Sequence, residues 1–401
     1  MAKVLVVDDS ALMRRLITGV LGDAGHELQT ARDGTEAVAK LVEWQPDVVT
    51  LDINMPQMDG LTALSLMMAA RPTPVVMVSS LTEQGALATF EALALGAVDF
   101  IAKPGGTISL SIDEIAHQLR NKVKAALRAK LRIAKGSDAP SAEATARSSA
   151  TPSARAPLRS APRTLHPTPS RFGQRGASAT PSAPTHAAPH EVRGGRHRGL
   201  EVVIIGVSTG GPRTLEDILP QLPAHFPCPV LVAQHMPPNF TDAFARRMDR
   251  LCQLRVKEVA TPMPLEPGHI YIGQGGTDMI VMERLGRLVA ASKAESPNHP
   301  WHPSVDVLVE SAMRHLDPTQ ITGVQLTGMG DDGAAAMTQL KRSGGRTIAE
   351  SEATAVVFGM PGELIARGGA TTVLPCQDIA RQLIGWLQRS ERTSHGIATS
   401  H

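Results

Sequence analysis

The sequence predicts two α/β domains, each a doubly wound parallel sheet, joined by a disordered linker. Three observations carry this expectation. Short apolar runs alternate with helical periodicities, the alternation breaks off at a long polar segment, and it then resumes. At 401 residues the chain also exceeds one ordinary hydrophobic core.

In the first domain, expected over residues 1–120, residues 3–7, 28–31, 47–51, 75–78 and 98–102 read as strands. Between them Leu12, Leu16, Ile17, Val20 and Leu21 recur at helical spacing, as do Ala37, Val38, Leu41 and Val42. The strands are almost continuously apolar, so helices should cover both faces of the sheet. A helical extension and linker follow over residues 121–199. From 136 to 199 Ala, Ser, Pro and Arg dominate, and too little apolar surface exists to offset chain entropy. Its arginines outnumber its acids, which reads as a solvated basic tether. With Phe172 as its single aromatic residue, the tether offers no stacking platform for nucleic acid. In the second domain, expected over residues 200–388 before a tail at 389–401, residues 202–205, 230–233, 269–272, 279–283 and 324–326 read as strands. Residues 240–251 and 305–315 read as helices.

A net charge of +2 gives no overall pull toward nucleic acid or membrane. Cys228, Cys252 and Cys376 are odd in number and far apart, unlike a disulfide framework or a zinc site. Residues 1–3 lead straight into the strand pattern, and no apolar stretch is long enough to span a bilayer. A cytoplasmic protein without membrane insertion is expected.

Two constellations carry chemistry. Asp8 and Asp9 end the first strand, Asp52 the third, Ser79 the fourth and Lys103 the fifth, where a doubly wound sheet gathers its ligands. Three carboxylates there require a hard cation such as Mg²⁺, and the hydroxyl and ammonium suit an incoming phosphoryl group. In the second domain, the stretch from Gly206 through Ser208 to Gly211 joins a strand to a helix as G-x-S-x-G, the pattern of a nucleophile elbow. A neutral serine needs a general base. His235 follows the strand at 230–233, and Asp331 or Asp332 follows the strand at 324–326 to orient the imidazole. Backbone amides around Thr209 and Met329, in glycine-rich surroundings, are expected to form the oxyanion hole. The order Ser, His, Asp differs from the Ser, Asp, His order of common α/β-hydrolases.

Through V-V-T-L-D-I-N-M-P-Q-M-D-G and the residues above, the first half resembles the flavodoxin-like receiver domain of two-component response regulators. That resemblance implies Asp52 as phosphoacceptor, with Mg²⁺ held by Asp8, Asp9, Asp52 and the Asn54 backbone. It places Ser79 and Lys103 on the phosphoryl oxygens and Phe100 at an aromatic switch position. Through G-V-S-T-G-G-P, A-Q-H-M-P-P-N-F-T, L-T-G-M-G-D-D-G and V-V-F-G-M-P-G, the second half resembles the Rossmann-like catalytic domain of the chemotaxis response-regulator protein-glutamate methylesterases. The resemblance implies Ser208 as nucleophile, His235 as base and Asp332, directly before glycine, as the acid. It further implies no cofactor in the esterase site and hydrolysis of glutamate γ-methyl esters on chemotaxis receptors. Deamidation of receptor glutamines and a chemotaxis histidine kinase as phosphodonor are implied as well. Two departures stand out. Trp301-His302 precedes Pro303 where the family usually has His-Arg, and Asp278 stands where it usually has histidine. They leave room for a phosphorylation-controlled binding module on a degenerate hydrolase fold. A DNA-binding regulator is not expected, since no helix-turn-helix pattern follows the receiver.

Overall fold

The computed structural model describes residues 1–80, 82–103, 112–131 and 200–397. The expected linker over 136–199, Phe172 and residues 398–401 of the expected tail lie outside them. Residues Met1–Ala134 and Gly195–His401 belong to one compact unit.

The first sheet contains β1 (Lys3–Val7), β2 (Glu27–Ala31), β3 (Val48–Asp52), β4 (Val75–Ser79) and β5 (Asp99–Ala102), all parallel, in the order β2-β1-β3-β4-β5. Its helices are α1 (Ala11–Asp23), α2 (Gly34–Trp44), α3 (Gly60–Ala70), α4 (Glu83–Leu95) and α5 (Ile112–Ala126). The sequence starts the first four deliberately. Ser10, Asp33, Asp59 and Thr82 each accept a hydrogen bond from a backbone amide of the first turn. Strand direction of growth reverses between β1 and β3, and Val7 pairs with Leu51 there, so Asp8 emerges beside Asp52.

The second sheet is built from β6 (Val202–Val207), β7 (Val230–Gln234), β8 (Arg255–Val259), β10 (His269–Gly273), β13 (Ile321–Gln325), β14 (Arg346–Glu350) and β15 (Thr372–Leu374). Its order is β15-β14-β13-β6-β7-β10-β8, again parallel throughout. The helices are α6 (Gly211–Ile218), α7 (Thr241–Leu251), α8 (Val305–His315), α9 (Ala334–Arg342), α10 (Met360–Ala366) and α11 (Cys376–Ile397). Helix α11 runs without a break across residues 388 and 389, the expected boundary between domain and tail.

One predicted strand takes a different place. The run at 279–283 lies in β11 (Asp278–Arg284), which pairs antiparallel with β12 (Arg287–Lys293). With β9 (Met263–Pro264) they form a separate three-stranded sheet. Only Leu285 and Gly286 separate β11 from β12, with φ of 53° and 73°. A two-residue loop of that kind makes a hairpin, whereas a parallel partner needs a crossover of about a dozen residues.

The two parallel sheets meet through aromatic side chains. Phe100 of β5 lies 4.5 Å from Phe240, and Phe90 of α4 lies 5.5 Å from Phe244 of α7, centroid to centroid. None of the three cysteines forms a disulfide. Among the described residues no helix is long and apolar enough to cross a membrane.

Leu285 holds a left-handed conformation that costs an L-residue about 1–2 kcal/mol, while its side chain is almost fully exposed. Leu285→Asn, which suits the first position of this turn, is therefore expected to stabilise the chain by about 1 kcal/mol. The midpoint of urea unfolding measures the change.

Candidate active site and phosphoacceptor pocket

Three adjacent strands of the second sheet deliver Ser208, His235 and Asp332. Strand β6 lies between β13 and β7, and Val207 pairs with Gln234. Ser208 and His235 are the next residues on neighbouring parallel strands, which run about 4.8 Å apart. Their backbones are tied down: Ser208 N–H donates to Thr327 O (2.9 Å), and His235 N–H donates to Val207 O (3.0 Å). The Gln234 amide donates to both Ser208 O and His235 O at 3.0 Å, clamping the two loops together. Gly210, with φ of 79°, turns the chain into α6. A side chain at Gly328 would meet Ser208 Cβ at 2.7 Å, so glycine there is what lets the β13 loop close on the serine.

His235 Nε2 donates to Asp332 Oδ2 at 2.8 Å, and both side chains are buried. Asp332 sits at the N-terminus of α8. It also accepts from Ser304 Oγ (2.9 Å), Val305 N–H (2.7 Å) and Asp306 N–H (3.1 Å). Burial pushes its carboxyl up, but the His235 hydrogen bond and charge and the two amides outweigh burial and hold it below the usual value. An ionised carboxylate only accepts, so the imidazole proton lies on Nε2. The other ring nitrogen, Nδ1, is buried with no hydrogen-bond partner and keeps its lone pair for a proton. Ser208 and His235 line a cleft of about 220 Å³ with Trp301, Met329, and His117 and Lys122 of α5. Asp331, the alternative acid, is exposed and pairs with Arg367 at 2.6 Å. Ligand atoms of His299 and Asp306 lie within 4.8 Å of Asp332. Asp332 itself is already engaged by four hydrogen-bond donors.

Thr209 is placed unexpectedly. Its hydroxyl donates to Asp99 Oδ2 of β5 at 2.7 Å, a buried bond between the two sheets' domains, while its carbonyl accepts from Thr327 Oγ1 at 2.8 Å. Asp99 Oδ1 takes Lys122 Nζ (2.7 Å) and Phe100 N–H (2.8 Å). Sequence reading singled out neither Asp99 nor Gln234 and Ser304. A polar residue inside an apolar strand was the available signal for Asp99, and a serine before a helix that for Ser304.

In the first domain, ligand atoms of Asp8, Asp9 and Asp52 lie within 4.8 Å of one another. Lys103 Nζ stands 2.6 Å from Asp52 Oδ2 and 3.1 Å from Asp8 Oδ2. Burial, with Asp8's charge added, raises the Asp52 carboxyl despite the Lys103 hydrogen bond. Lys103 is raised too: burial works against its charge, and Asp52 and Asp8 outweigh it. One ammonium thus faces three carboxylates, and it alone cannot offset their charge. Such a donor set fits a hard divalent cation. Asn54 N–H donates to Asp52 Oδ1 (3.3 Å), whereas the Ser79 hydroxyl points to Gly85 O (3.1 Å). Phe100 is buried against Phe240, with Lys122 Nζ 5.3 Å above its ring.

Residues 203–383 match the CheB methylesterase family, and residues 4–112 match the response regulator receiver domain. The chain is 51% identical over 401 residues to protein-glutamate methylesterase/protein-glutamine glutaminase 3 of Rhodospirillum rubrum, covering 100% of both. It is 50% identical over 390 residues to protein-glutamate methylesterase/protein-glutamine glutaminase 2 of Rhodopseudomonas palustris, covering 96% of this chain and 98% of the relative. Among solved structures, the Thermotoga maritima CheB methylesterase catalytic domain is 38% identical with a TM-score of 0.45, covering 47% of this chain and 99% of that one.

Asp332→Asn is expected to slow labelling of Ser208 by a fluorophosphonate by roughly 10⁴-fold, because the asparagine amide favours the wrong imidazole tautomer. Asp331→Asn should leave the labelling rate near wild type. A reversed pair of rates would move the acid's role to Asp331.

Proposed function

The chain belongs to the CheB methylesterase family, and from that premise we propose that it is a phosphorylation-activated serine esterase. It removes methyl groups from glutamate γ-methyl esters of chemotaxis receptors and deamidates receptor glutamines in the cytoplasm. The observation that carries this reading is the buried His235–Asp332 pair, with Nδ1 free, one register step from Ser208. Ser208 Oγ attacks the γ-carbonyl as Nδ1 takes its proton. The tetrahedral oxyanion collapses, methanol leaves with that proton, and a glutamyl ester on Ser208 remains. Water, activated by the same nitrogen, then releases the glutamate. With a glutamine substrate the leaving group is ammonia. Amides of the Thr209 and Met329 loops supply the oxyanion hole.

Regulation enters through the first domain. Asp52 is the phosphoacceptor and a chemotaxis histidine kinase the donor. Asp8, Asp9, Asp52 and the Asn54 backbone would hold Mg²⁺, which offsets negative charge when bound. Ser79 and Lys103 meet the phosphoryl oxygens, so the Ser79 hydroxyl must leave Gly85. What supports control over the esterase is the position of α5 along the cleft and the Thr209–Asp99 bond beside the nucleophile. Asp99 directly precedes Phe100, so repacking at β5 would release the nucleophile loop and uncover the cleft.

Methanol release from methylated receptors tests the reading. Wild type with a phosphodonor should be active, and EDTA should remove the phosphodonor's effect while sparing basal hydrolysis. Ser208→Ala should lose about 10⁴-fold or more. An active Ser208→Ala sinks the nucleophile. Breaking the interdomain bond with Asp99→Asn forfeits a charge-assisted hydrogen bond of about 1.5 kcal/mol, which should raise unphosphorylated activity roughly 10-fold. Basal rates equal to wild type would remove Asp99 from the lock.

A further inference from the structure

We propose that Trp301 is a positioning residue that holds the His235 imidazole in its working plane, an inference that rests on the serine-hydrolase reading above. The indole is offset-stacked on the imidazole, 5.4 Å between centroids and 8° between planes. A single hydrogen bond, Nε2 to Asp332, fixes one point of the ring but leaves it free to tilt about that contact. Nδ1 has no partner that would stop the tilt. Only a face contact restrains a planar ring in that direction, and Trp301 supplies it. A stacked indole does not compete for the lone pair of Nδ1, since its ring face is not a hydrogen-bond donor.

The indole needs its own support, and the two other departures from the family pattern provide it. Asp278 is wholly buried. It accepts from His302 Nδ1 (2.8 Å) and Ser304 N–H (2.9 Å) on one oxygen and from Ser296 N–H (2.9 Å) on the other. The residue after Trp301 is therefore pinned from beneath. Two residues further on, Ser304 bonds the Asp332 carboxylate through its hydroxyl. One short segment thus fixes the ring over the imidazole and the acid at its edge. Trp301, His302 and Asp278 form a single device: an anchor, a tether and a plate.

The test uses the full chain with a phosphodonor. Trp301→Ala should lower kcat for methanol release roughly 10- to 100-fold while KM stays within about twofold, the signature of a misplaced reacting group rather than lost substrate contact. Trp301→Phe, which keeps a flat apolar face, should recover most of the loss, and it guards against misfolding as the explanation. An unchanged kcat, or a loss confined to KM, overturns the proposal. The ring contact is also read without turnover. In a chain carrying Trp44→Phe and Trp386→Phe, the emission of Trp301 should change on His235→Ala, since an imidazole against an indole face quenches it. Emission indifferent to His235→Ala overturns the proposal as well. Failure of the hydrolase reading looks different: a wild-type chain that releases no methanol and whose Ser208 is not labelled by fluorophosphonate.

Discussion

One ionised carboxylate, nearly dry, organises the second half of this chain. Asp332 is left 6% exposed, and an anion so placed persists only if donors replace the water it has lost. Four do so, from two separate parts of the sequence: His235, and the segment 304–306 with the Ser304 hydroxyl and the first two amides of α8. Meeting that requirement fixes the loop after β13 against the start of α8 and against the loop after β7. Once those loops are fixed, β6 between β13 and β7 carries Ser208 into the remaining gap. The geometry of the site is thus a consequence of solvating one buried charge with protein groups. The polarity of the imidazole follows from it, since a carboxylate on Nε2 leaves Nδ1 as the base.

The same logic appears at the boundary between the two sheets. Asp99 is also buried, and its donors are Lys122 and Phe100 from its own domain and Thr209 from the other. A charge shared in this way couples two bodies without a large interface of its own. Asp99 neighbours Phe100 on one side of the boundary, and Thr209 neighbours Ser208 on the other. In the proposed regulation, a shift at the end of β5 would reach the nucleophile through two consecutive residues on each side. Aromatic pairs such as Phe100 with Phe240 add apolar contact that such a shift would have to repack.

Much of this was legible in the sequence, for physical reasons. Buried parallel strands such as β1, β3 and β6 are continuous apolar runs, and residues that do chemistry collect at their carboxyl ends, so Asp8, Asp52, Ser208 and His235 announce themselves. Strands β8 and β14 were missed because Arg255-Val256-Lys257-Glu258-Val259 and Arg346-Thr347-Ile348-Ala349-Glu350 carry few apolar residues. Strand β15, three residues long at a sheet edge, has no periodicity to detect. Asp331 and Asp332 differ by one position, and only the chain's path decides which turns inward and which meets Arg367 in solvent. Contacts such as Thr209 with Asp99 join residues far apart in the chain, and nothing in either local pattern points to the other.

The environment of Asp278 shows how a second buried charge is accommodated next to the site. A carboxylate at position 278 could not stand alone, because burial penalises its charged form. His302 and the Ser296 and Ser304 amides reverse that penalty and hold the carboxyl below its ordinary value. His302 without Asp278 would in turn leave Nδ1 unpaired in a half-buried loop. Together they close a local network beside the Ser304 hydroxyl, which bonds Asp332. The loop they stiffen is the one that carries Trp301 over the imidazole.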